Sequence, residues 1–277
     1  MPYITTTDNV NLYFEETGSG TPILFIHEMA GDHRSWEPQI RYLSRFYRCI
    51  VFNARGYYPS DIPKNVKAYS QKTAANDALA ILDGLKLQQA HIVGLSMGSS
   101  ATLQFGIDHE SRALSLTIMG CGSGSDPDML ENNRTRYRAM AQNILDGHYQ
   151  GFVAEYSSGP YRQPFLKKDP RGWEEFRNRL MTHNPTGKAN TLLGVQAERP
   201  SLYELESHIE KIKLPTLIMV GDLDEPCVPA SIFLQKAIKN SGLYVLPKTG
   251  HTINLEEPMQ VNYQLHQFLT AVEKDQW

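Results

Sequence analysis

The stretch His91-Ile92-Val93-Gly94-Leu95-Ser96-Met97-Gly98 decides the fold of this chain. Residues 91–95 have the length and apolar composition of a buried strand. After them, the spacing of Met97, Ala101 and Phe105 predicts one face of a helix. Bulky residues would clash in so sharp a strand-to-helix turn, which gives Gly94 and Gly98 a physical reason. The turn is predicted to expose the Ser96 hydroxyl at the end of the strand, beside the first helix amides.

Strands and helices alternate on both sides of this turn. We predict strands at residues 3–6, 11–16, 22–26, 48–53, 91–95, 113–119, 216–220 and 243–246. Helical patterns separate most of them, and the last helix begins near Pro258. This alternation predicts an α/β fold with a mostly parallel, eight-stranded sheet flanked by helices.

The segment 123–207 departs from the alternation, because it contains helix signals and no convincing buried strand. Ser125 with Pro127, and Asn184-Pro185, are typical helix starts. We therefore predict a helical cap, or lid, inserted after the sixth strand, and a core made of residues 1–122 and 208–277. The lid joins the core at both ends, so it is not expected to be a module on a linker.

The composition excludes several classes of protein. The chain has 277 residues with Lys+Arg 27 against Asp+Glu 30, a net charge of −3, whereas nucleic-acid and membrane-surface binders carry a basic excess. Its apolar runs are shorter than the ~18 residues of a membrane span. Three cysteines without CxxC spacing, and a start without a signal-peptide pattern, favour a cytoplasmic location. We predict neither nucleic acid nor membrane as a partner.

A serine hydroxyl needs a base to become a nucleophile, and the chain offers two candidates that follow predicted strands. They are His27 and His251, and position alone does not choose between them. A carboxylate that orients the imidazole could be Asp222 or Asp224, which also follow a strand. No metal-ligand spacing and no phosphate-binding glycine loop stands out, so we predict no metal and no cofactor.

The chain resembles the α/β-hydrolase superfamily over essentially its whole length, in the group of small capped esterases, lactonases and carbon–carbon bond hydrolases. The motifs that carry the resemblance are Gly94-Leu95-Ser96-Met97-Gly98, Ile26-His27, Asn53-Ala54-Arg55-Gly56, Gly221-Asp222-Leu223-Asp224, and Gly250-His251 with Glu257-Pro258. The family places its acid three residues after the glycine, which favours Asp224 over Asp222. The order Ser96, Asp224, His251 is that of the family.

The resemblance implies a mechanism with named residues. Ser96 would be the nucleophile, His251 the base and Asp224 its partner, and the backbone amides of Met29 and Met97 would form the oxyanion hole. The sequence departs from the family at Glu28, where a glycine is usual, and at Tyr58, where a second glycine is common. We expect Glu28 to point to solvent or a local partner; the alternative is a negative charge near the mouth of the site. Around Tyr58 we expect a packed, tyrosine-filled loop.

The lid is expected to supply the substrate pocket. Its aromatic residues are candidates for a mainly apolar wall: Tyr137, Tyr149, Tyr156, Tyr161, Phe165 and Trp173. We take Glu28, Tyr137, Tyr161 and Trp173 as the pocket candidates. The run Arg134, Arg136 and Arg138 is interpreted as a solvated helix face, with binding of a substrate carboxylate by one of them as the alternative.

Three functions remain open on the sequence alone. The leading prediction is a cofactor-free serine hydrolase that cleaves a small carboxylic ester or lactone through an acyl-enzyme on Ser96. The second is a hydrolase of carbon–carbon bonds in vinylogous diketones with the same triad, and the third is a small-ligand receptor on the same fold. Dehalogenases and epoxide hydrolases are disfavoured, because those relatives have a carboxylate where Ser96 stands. A small molecule is the expected partner, and a homodimer is left open.

Overall fold

A computed structural model describes residues 2–277 of the chain. The strands are β1 (Tyr3–Thr5), β2 (Asn11–Thr17), β3 (Pro22–Ile26), β4 (Arg48–Phe52), β5 (Ala90–Leu95), β6 (Ala113–Met119), β7 (Thr216–Gly221) and β8 (Ser241–Leu246). The helices are α1 (Glu37–Leu43), α2 (Gln71–Gly84), α3 (Met97–Asp108), α4 (Leu130–Leu145), α5 (Tyr149–Ser158), α6 (Gln163–Lys168), α7 (Pro170–Met181), α8 (Pro185–Thr191), α9 (Glu206–Ile209), α10 (Val228–Ala237), α11 (Ile253–Glu256) and α12 (Pro258–Glu273).

The eight strands form one sheet in the order β1-β2-β4-β3-β5-β6-β7-β8. The β1–β2 and β2–β4 pairs are antiparallel, and the other five pairs are parallel. The predicted fold class is therefore confirmed. Because the carboxyl ends of β3, β5, β6, β7 and β8 lie at one edge, the loops that follow these strands meet there.

Alternate residues of the central strands feed two separate apolar cores, as the two-residue period of a strand requires. Leu24 and Ile26 of β3 pack into the core that also contains buried residues of α2, α3 and α10. Ile23 and Phe25 of the same strand pack into the core formed with α1 and α12. Helices thus cover both faces of the sheet.

Every helix from α4 to α8 lies in the segment 123–207, which we call the lid, and α9 crosses its predicted end at residue 207. A third apolar cluster joins the lid to the core, since it contains Phe152, Phe176 and Leu192 of the lid together with Met29 and Met97. The lid is therefore packed onto the carboxyl edge of the sheet. Among residues 2–277, no helix is both long and apolar enough to cross a membrane.

Candidate active site

Ser96 lies in the turn between β5 and α3, with a left-handed φ of 56° and ψ of −112°. A non-glycine residue rarely adopts this conformation, which marks a strained turn. A Cβ at Gly94 would overlap the backbone of Gly98, and one at Gly98 would overlap the Ile26 carbonyl. The two glycines therefore allow the turn to pack closely against β3.

The structure brings Ser96, His251 and Asp224 together from the loops after three different strands. Nε2 of His251 lies 2.8 Å from Oγ of Ser96, and its Nδ1 lies 2.6 Å from Oδ2 of Asp224. The carboxylate accepts a hydrogen bond from Nδ1–H, so Nε2 is left to accept the Ser96 proton. Burial raises the pKa of Asp224, but the facing imidazole outweighs it, and the net pKa is lowered.

The two alternatives left open by the sequence have other places in the structure. Asp222 is exposed, and its carboxylate accepts a hydrogen bond from the Thr249 amide at 3.1 Å. His27 is fully enclosed, and its Nε2 accepts from the Ala54 amide at 3.1 Å. Nδ1 of His27 therefore carries the proton and donates to the Glu28 carbonyl at 2.7 Å. Burial lowers the pKa of His27 to about 4.

The resemblance expects an oxyanion hole at the amides of Met29 and Met97. In the described chain, residues 2–277, neither amide donates a hydrogen bond to the backbone. The Glu28 carbonyl is held by His27 and by the Gly31 amide at 3.1 Å. In a trans peptide the N–H points opposite to the C=O, so these contacts aim the Met29 N–H away from its own loop.

The Glu28 side chain points away from the mouth of the site, as expected, but it is 1% exposed and does not reach solvent; its choice as a pocket candidate is wrong, because it is not part of the cavity wall. Arg162, on a short 3-10 turn of the lid, forms a bidentate ion pair with it, with N···O distances of 2.9 and 2.5 Å. The same arginine donates to Thr252, next to His251. The partner of Glu28 is thus 134 residues away in sequence, and local reasoning could not find it.

A cavity of 240 Å³ opens at the triad. Its wall contains the predicted pocket residues Tyr137 and Tyr161, and also Tyr156. The predicted pocket residue Trp173 is not on the wall. Its indole N–H donates instead to the Ser157 carbonyl at 2.8 Å inside the lid. Besides the triad and Met29, the wall contains Arg136, one of the three arginines that the sequence offers as alternative carboxylate ligands. The other residues of the wall carry no pocket signal in the sequence: Ser123, Met140, Phe152, Glu155, Gly159, Arg162, Gln196 and Arg199.

The loop at the second departure from the family pattern is only partly packed. Tyr57 is 1% exposed, but Tyr58 is 74% exposed, so the expectation of a packed loop is wrong for Tyr58. The Tyr57 hydroxyl donates to the Met29 carbonyl at 2.9 Å. This contact links the loop after β4 to residues 27–31 after β3, which we call the oxyanion loop because the resemblance expects the oxyanion hole there.

Lys188 is a functional candidate that sequence analysis missed. It is 1% exposed, and its ammonium donates to the Met29 carbonyl and lies 3.3 Å from the Tyr57 hydroxyl. Burial lowers the pKa of Lys188 to about 7, against the charges of Glu28 and Asp32, which raise it. The sequence gives no sign that this lysine of a lid helix is buried, because most lysines are solvent-exposed.

Asp224, Cys227 and His251 place three ligand-type atoms within 4.8 Å of one another. Burial, with the neighbouring Asp224 charge, raises the pKa of the Cys227 thiol well above its usual range. Metal binding requires the thiolate, while Asp224 and His251 already bond to each other. The donor set fits a hydrogen-bonded triad with a packed thiol beside it.

Comparisons with known proteins agree with this geometry. The family model of the alpha/beta hydrolase fold matches residues 21–258. A putative 2-succinyl-6-hydroxy-2,4-cyclohexadiene-1-carboxylate synthase of Bacillus subtilis is 27% identical, with 97% of this chain and 98% of that protein covered. The 3-oxoadipate enol-lactonase 1 of Acinetobacter baylyi is 25% identical, with 85% and 84% covered.

Among solved structures, a thermophilic esterase from Thermogutta terrifontis superposes with a TM-score of 0.87 at 25% identity, covering 98% of both chains. The family model spans most of the chain, including the turn at Ser96 and the loops that carry Asp224 and His251. The chain belongs to the alpha/beta hydrolase fold family.

Proposed function

We propose that this protein is a cofactor-free serine hydrolase that cleaves a small carboxylic ester or lactone. One observation carries the proposal: the continuous hydrogen-bond chain from Asp224 through His251 to Ser96, which ends at the cavity. A serine hydroxyl at hydrogen-bond distance from an oriented imidazole is an activated nucleophile. The names of the enol-lactonase and esterase relatives support the same class of reaction.

The proposed mechanism has two halves. In the first, Nε2 of His251 takes the Ser96 proton while Oγ adds to the substrate carbonyl carbon. The amides of Met29 and Met97 stabilise the oxyanion, and His251 then gives the proton to the leaving oxygen as the C–O bond breaks. In the second half, His251 removes a proton from water, which attacks the acyl-enzyme. Collapse of that intermediate returns the proton to Ser96 and releases the acid.

A fluorophosphonate tests the proposal, because it phosphonylates an activated serine without needing the natural substrate. We expect intact-protein mass spectrometry to show one adduct on the native chain, mapped by peptide analysis to Ser96, and no adduct on Ser96→Ala. The lack of an adduct on the native, folded protein would contradict the proposal and favour the receptor function.

A substrate panel then separates the two enzymatic functions. Esters and lactones of graded acyl length are compared with a dienoate ketone, with Ser96→Ala as the blank for each. Ester or lactone turnover that depends on Ser96 supports the proposal. Turnover of the ketone alone would replace it with carbon–carbon bond hydrolysis by the same triad.

A further inference from the structure

The three arginines of helix α4 have different surroundings. Arg134 pairs with Glu131 at 2.6 Å, and Arg138 pairs with Glu198 at 2.8 Å. Arg136, between them, lies on the wall of the cavity and forms no ion pair within residues 2–277. Arg136 and Arg138 are exposed, as the interpretation of this run as a solvated face expects, whereas Arg134 is half-buried. Arg136 differs from the other two because it also lies on the cavity wall.

Arg199 is a second unpaired guanidinium on the same wall. It donates to the Ser123 carbonyl, and one of its nitrogens lies 3.4 Å from the Ser100 hydroxyl. Both partners are neutral, so they orient the guanidinium without neutralising its charge. Arg199 is also half-buried, which reduces screening by water.

The other charged groups of the cavity form no ion pair with these two arginines. Arg162 pairs with Glu28, and Asp224 accepts the hydrogen bond of His251. Glu155 is the remaining acid on the described wall; it is exposed and forms no ion pair with either arginine. The cavity wall thus carries two guanidinium groups without a carboxylate partner, in a protein whose net charge is −3.

We infer that the substrate carries a carboxylate besides its scissile carbonyl, and that Arg136 and Arg199 bind this carboxylate. An arginine fork matches a carboxylate geometrically, and charge-assisted hydrogen bonds are the stronger ones. The nucleophile and both arginines line one cavity of 240 Å³, which requires a compact molecule. This inference rests on the proposed function, since it names the substrate class of that site.

The test compares acidic substrates with neutral isosteres. One series has the carboxylate on the acyl side, as in 4-nitrophenyl hydrogen glutarate against 4-nitrophenyl pentanoate. The other has it on the leaving group, as in 4-carboxyphenyl butyrate against 4-carbamoylphenyl butyrate. We expect one series to show a kcat/KM at least about 10-fold higher for the acid, the size of a charged hydrogen bond.

The variants assign that preference to residues. Arg136→Gln and Arg199→Gln are each expected to lower the acid-to-neutral ratio of kcat/KM about 10-fold. Arg138→Gln is the matched control on the same helix, and it keeps the native ratio. Arg199→Lys keeps the positive charge and loses the fork geometry of the guanidinium. It therefore separates the effect of a lost charge from the effect of a misfolded variant.

A binding experiment keeps this inference distinct from the proposed function. Calorimetry with Ser96→Ala measures affinity for glutarate and its monomethyl ester without turnover. We expect the affinity to fall as the salt concentration rises. We also expect it to be lower when Arg136→Gln is added to Ser96→Ala. Hydrolysis of neutral esters with no preference for either acid would overturn the carboxylate inference alone, whereas absence of Ser96 labelling would overturn the proposed function.

The buried Lys188 carries a second, independent inference. Its ammonium and the Tyr57 hydroxyl both donate to the Met29 carbonyl, and Nζ lies 4.4 Å from the centre of the Tyr57 ring. Within residues 2–277, no carboxylate lies within 4.0 Å of Nζ. A buried ammonium without a carboxylate partner is costly, and the contacts that offset this cost are those with the Met29 carbonyl and the Tyr57 hydroxyl.

We propose that Lys188 is a positioning residue that holds Met29 in place for the oxyanion hole. The peptide before Met29 is fixed by His27 and Gly31, and the peptide after it is fixed by Lys188 and Tyr57. With both neighbouring peptides fixed, the Met29 N–H cannot rotate away from a developing oxyanion. The charge on Lys188 strengthens the bond to the carbonyl.

The groups that face Lys188 set the expected pH dependence. Burial disfavours its charged form, while Glu28 and Asp32 favour it. Burial lowers the pKa of the nearby His27 and His183 to about 4, so both are neutral above that pH and do not oppose the charge on Lys188. Tyr57 stays protonated, because burial raises its pKa well above 10. Lys188, with a pKa of about 7, is therefore the group that loses charge near neutral pH.

Lys188→Met, which keeps the length and loses the donor, tests this role. We expect kcat per fluorophosphonate-titrated site to fall about 10- to 100-fold, as for a misplaced catalytic group, with KM within about twofold. We expect native kcat to decline above about pH 7, and this decline to be absent in the variant. Lys188→Gln should restore part of the rate, because an amide can still donate. A kcat per site close to native in Lys188→Met, or an unchanged pH profile, would show that Lys188 only fills space.

Discussion

Replacing Asp224 with asparagine is expected to lower kcat about 10⁴-fold, with little change in the fold. In the native protein the Asp224 carboxylate accepts a hydrogen bond from Nδ1–H of His251 at 2.6 Å, which leaves Nε2 free to take the Ser96 proton. An asparagine amide can donate to Nδ1 instead, which moves the imidazole proton to Nε2. His251 would then present a donor to Ser96 and could no longer act as its base.

Asp222→Asn is the matched control for this variant, since the two acids are two residues apart. Asp222 is exposed and bonds to the Thr249 amide, a contact that the asparagine oxygen can replace. We expect its kcat to stay within about twofold of native. Initial rates on one ester, normalised to the titrated Ser96, measure both variants. Equal losses in the two would contradict the assignment of Asp224 as the partner of His251.

The core of this site was predictable because its residues follow strands. The turn at Ser96 and the loops of Asp224 and His251 all occur directly after apolar runs, and parallel strands bring such loops to one edge. The glycine spacing identified the serine, and the family pattern chose between Asp222 and Asp224. These signals are local in the sequence, so they can be recognised without knowledge of the tertiary contacts.

The lid was less predictable because its contacts depend on packing across long sequence distances. Tyr137 and Trp173 are both lid aromatics, yet the first lines the cavity and the second bonds to Ser157 inside the lid. The arginine run likewise gave no sign that Arg136 alone would face the cavity. A helix pattern shows which residues share a face, but it does not show what that face will contact.

Glu28 is the clearest example of such a long-range contact. The family usually has a glycine at this position, which has no side chain to form an ion pair. Its carboxylate and Arg162 join the oxyanion loop to the lid, and both are almost fully enclosed. The lid turn of Arg162 also holds the loop of His251, whose amide donates to the Tyr161 carbonyl at 2.9 Å. The ion pair therefore links the lid, the oxyanion loop and the triad.

Arg162→Met is expected to lower the free energy of unfolding by about 3–5 kcal/mol, because it leaves the Glu28 carboxylate buried without a cation. Glu28→Gln should cost a similar amount by leaving Arg162 unpaired. The double variant Glu28→Gln/Arg162→Met removes both charges, so its loss should be much smaller than the sum of the two single losses. Urea denaturation at pH 7 measures all three. Arg138→Met, which breaks an exposed ion pair, is the control and should leave the midpoint unchanged.

The pH dependence of unfolding separates this ion pair from simple loss of packing. Burial raises the pKa of Glu28, but Arg162 outweighs it and the net pKa is lowered. In the native protein the stabilisation is thus present above the unfolded pKa of Glu28 and is lost as the pH falls through the lower, folded pKa. In Arg162→Met the dominant cation is gone and burial is opposed only by weaker charges such as that of Lys188, so we expect the folded pKa of Glu28 to rise and protonation to favour the fold. The stability deficit of Arg162→Met should therefore shrink as the pH falls from 7 towards 5. A deficit that stays constant over that range would mean that Arg162 contributes through packing and not through the charge of Glu28.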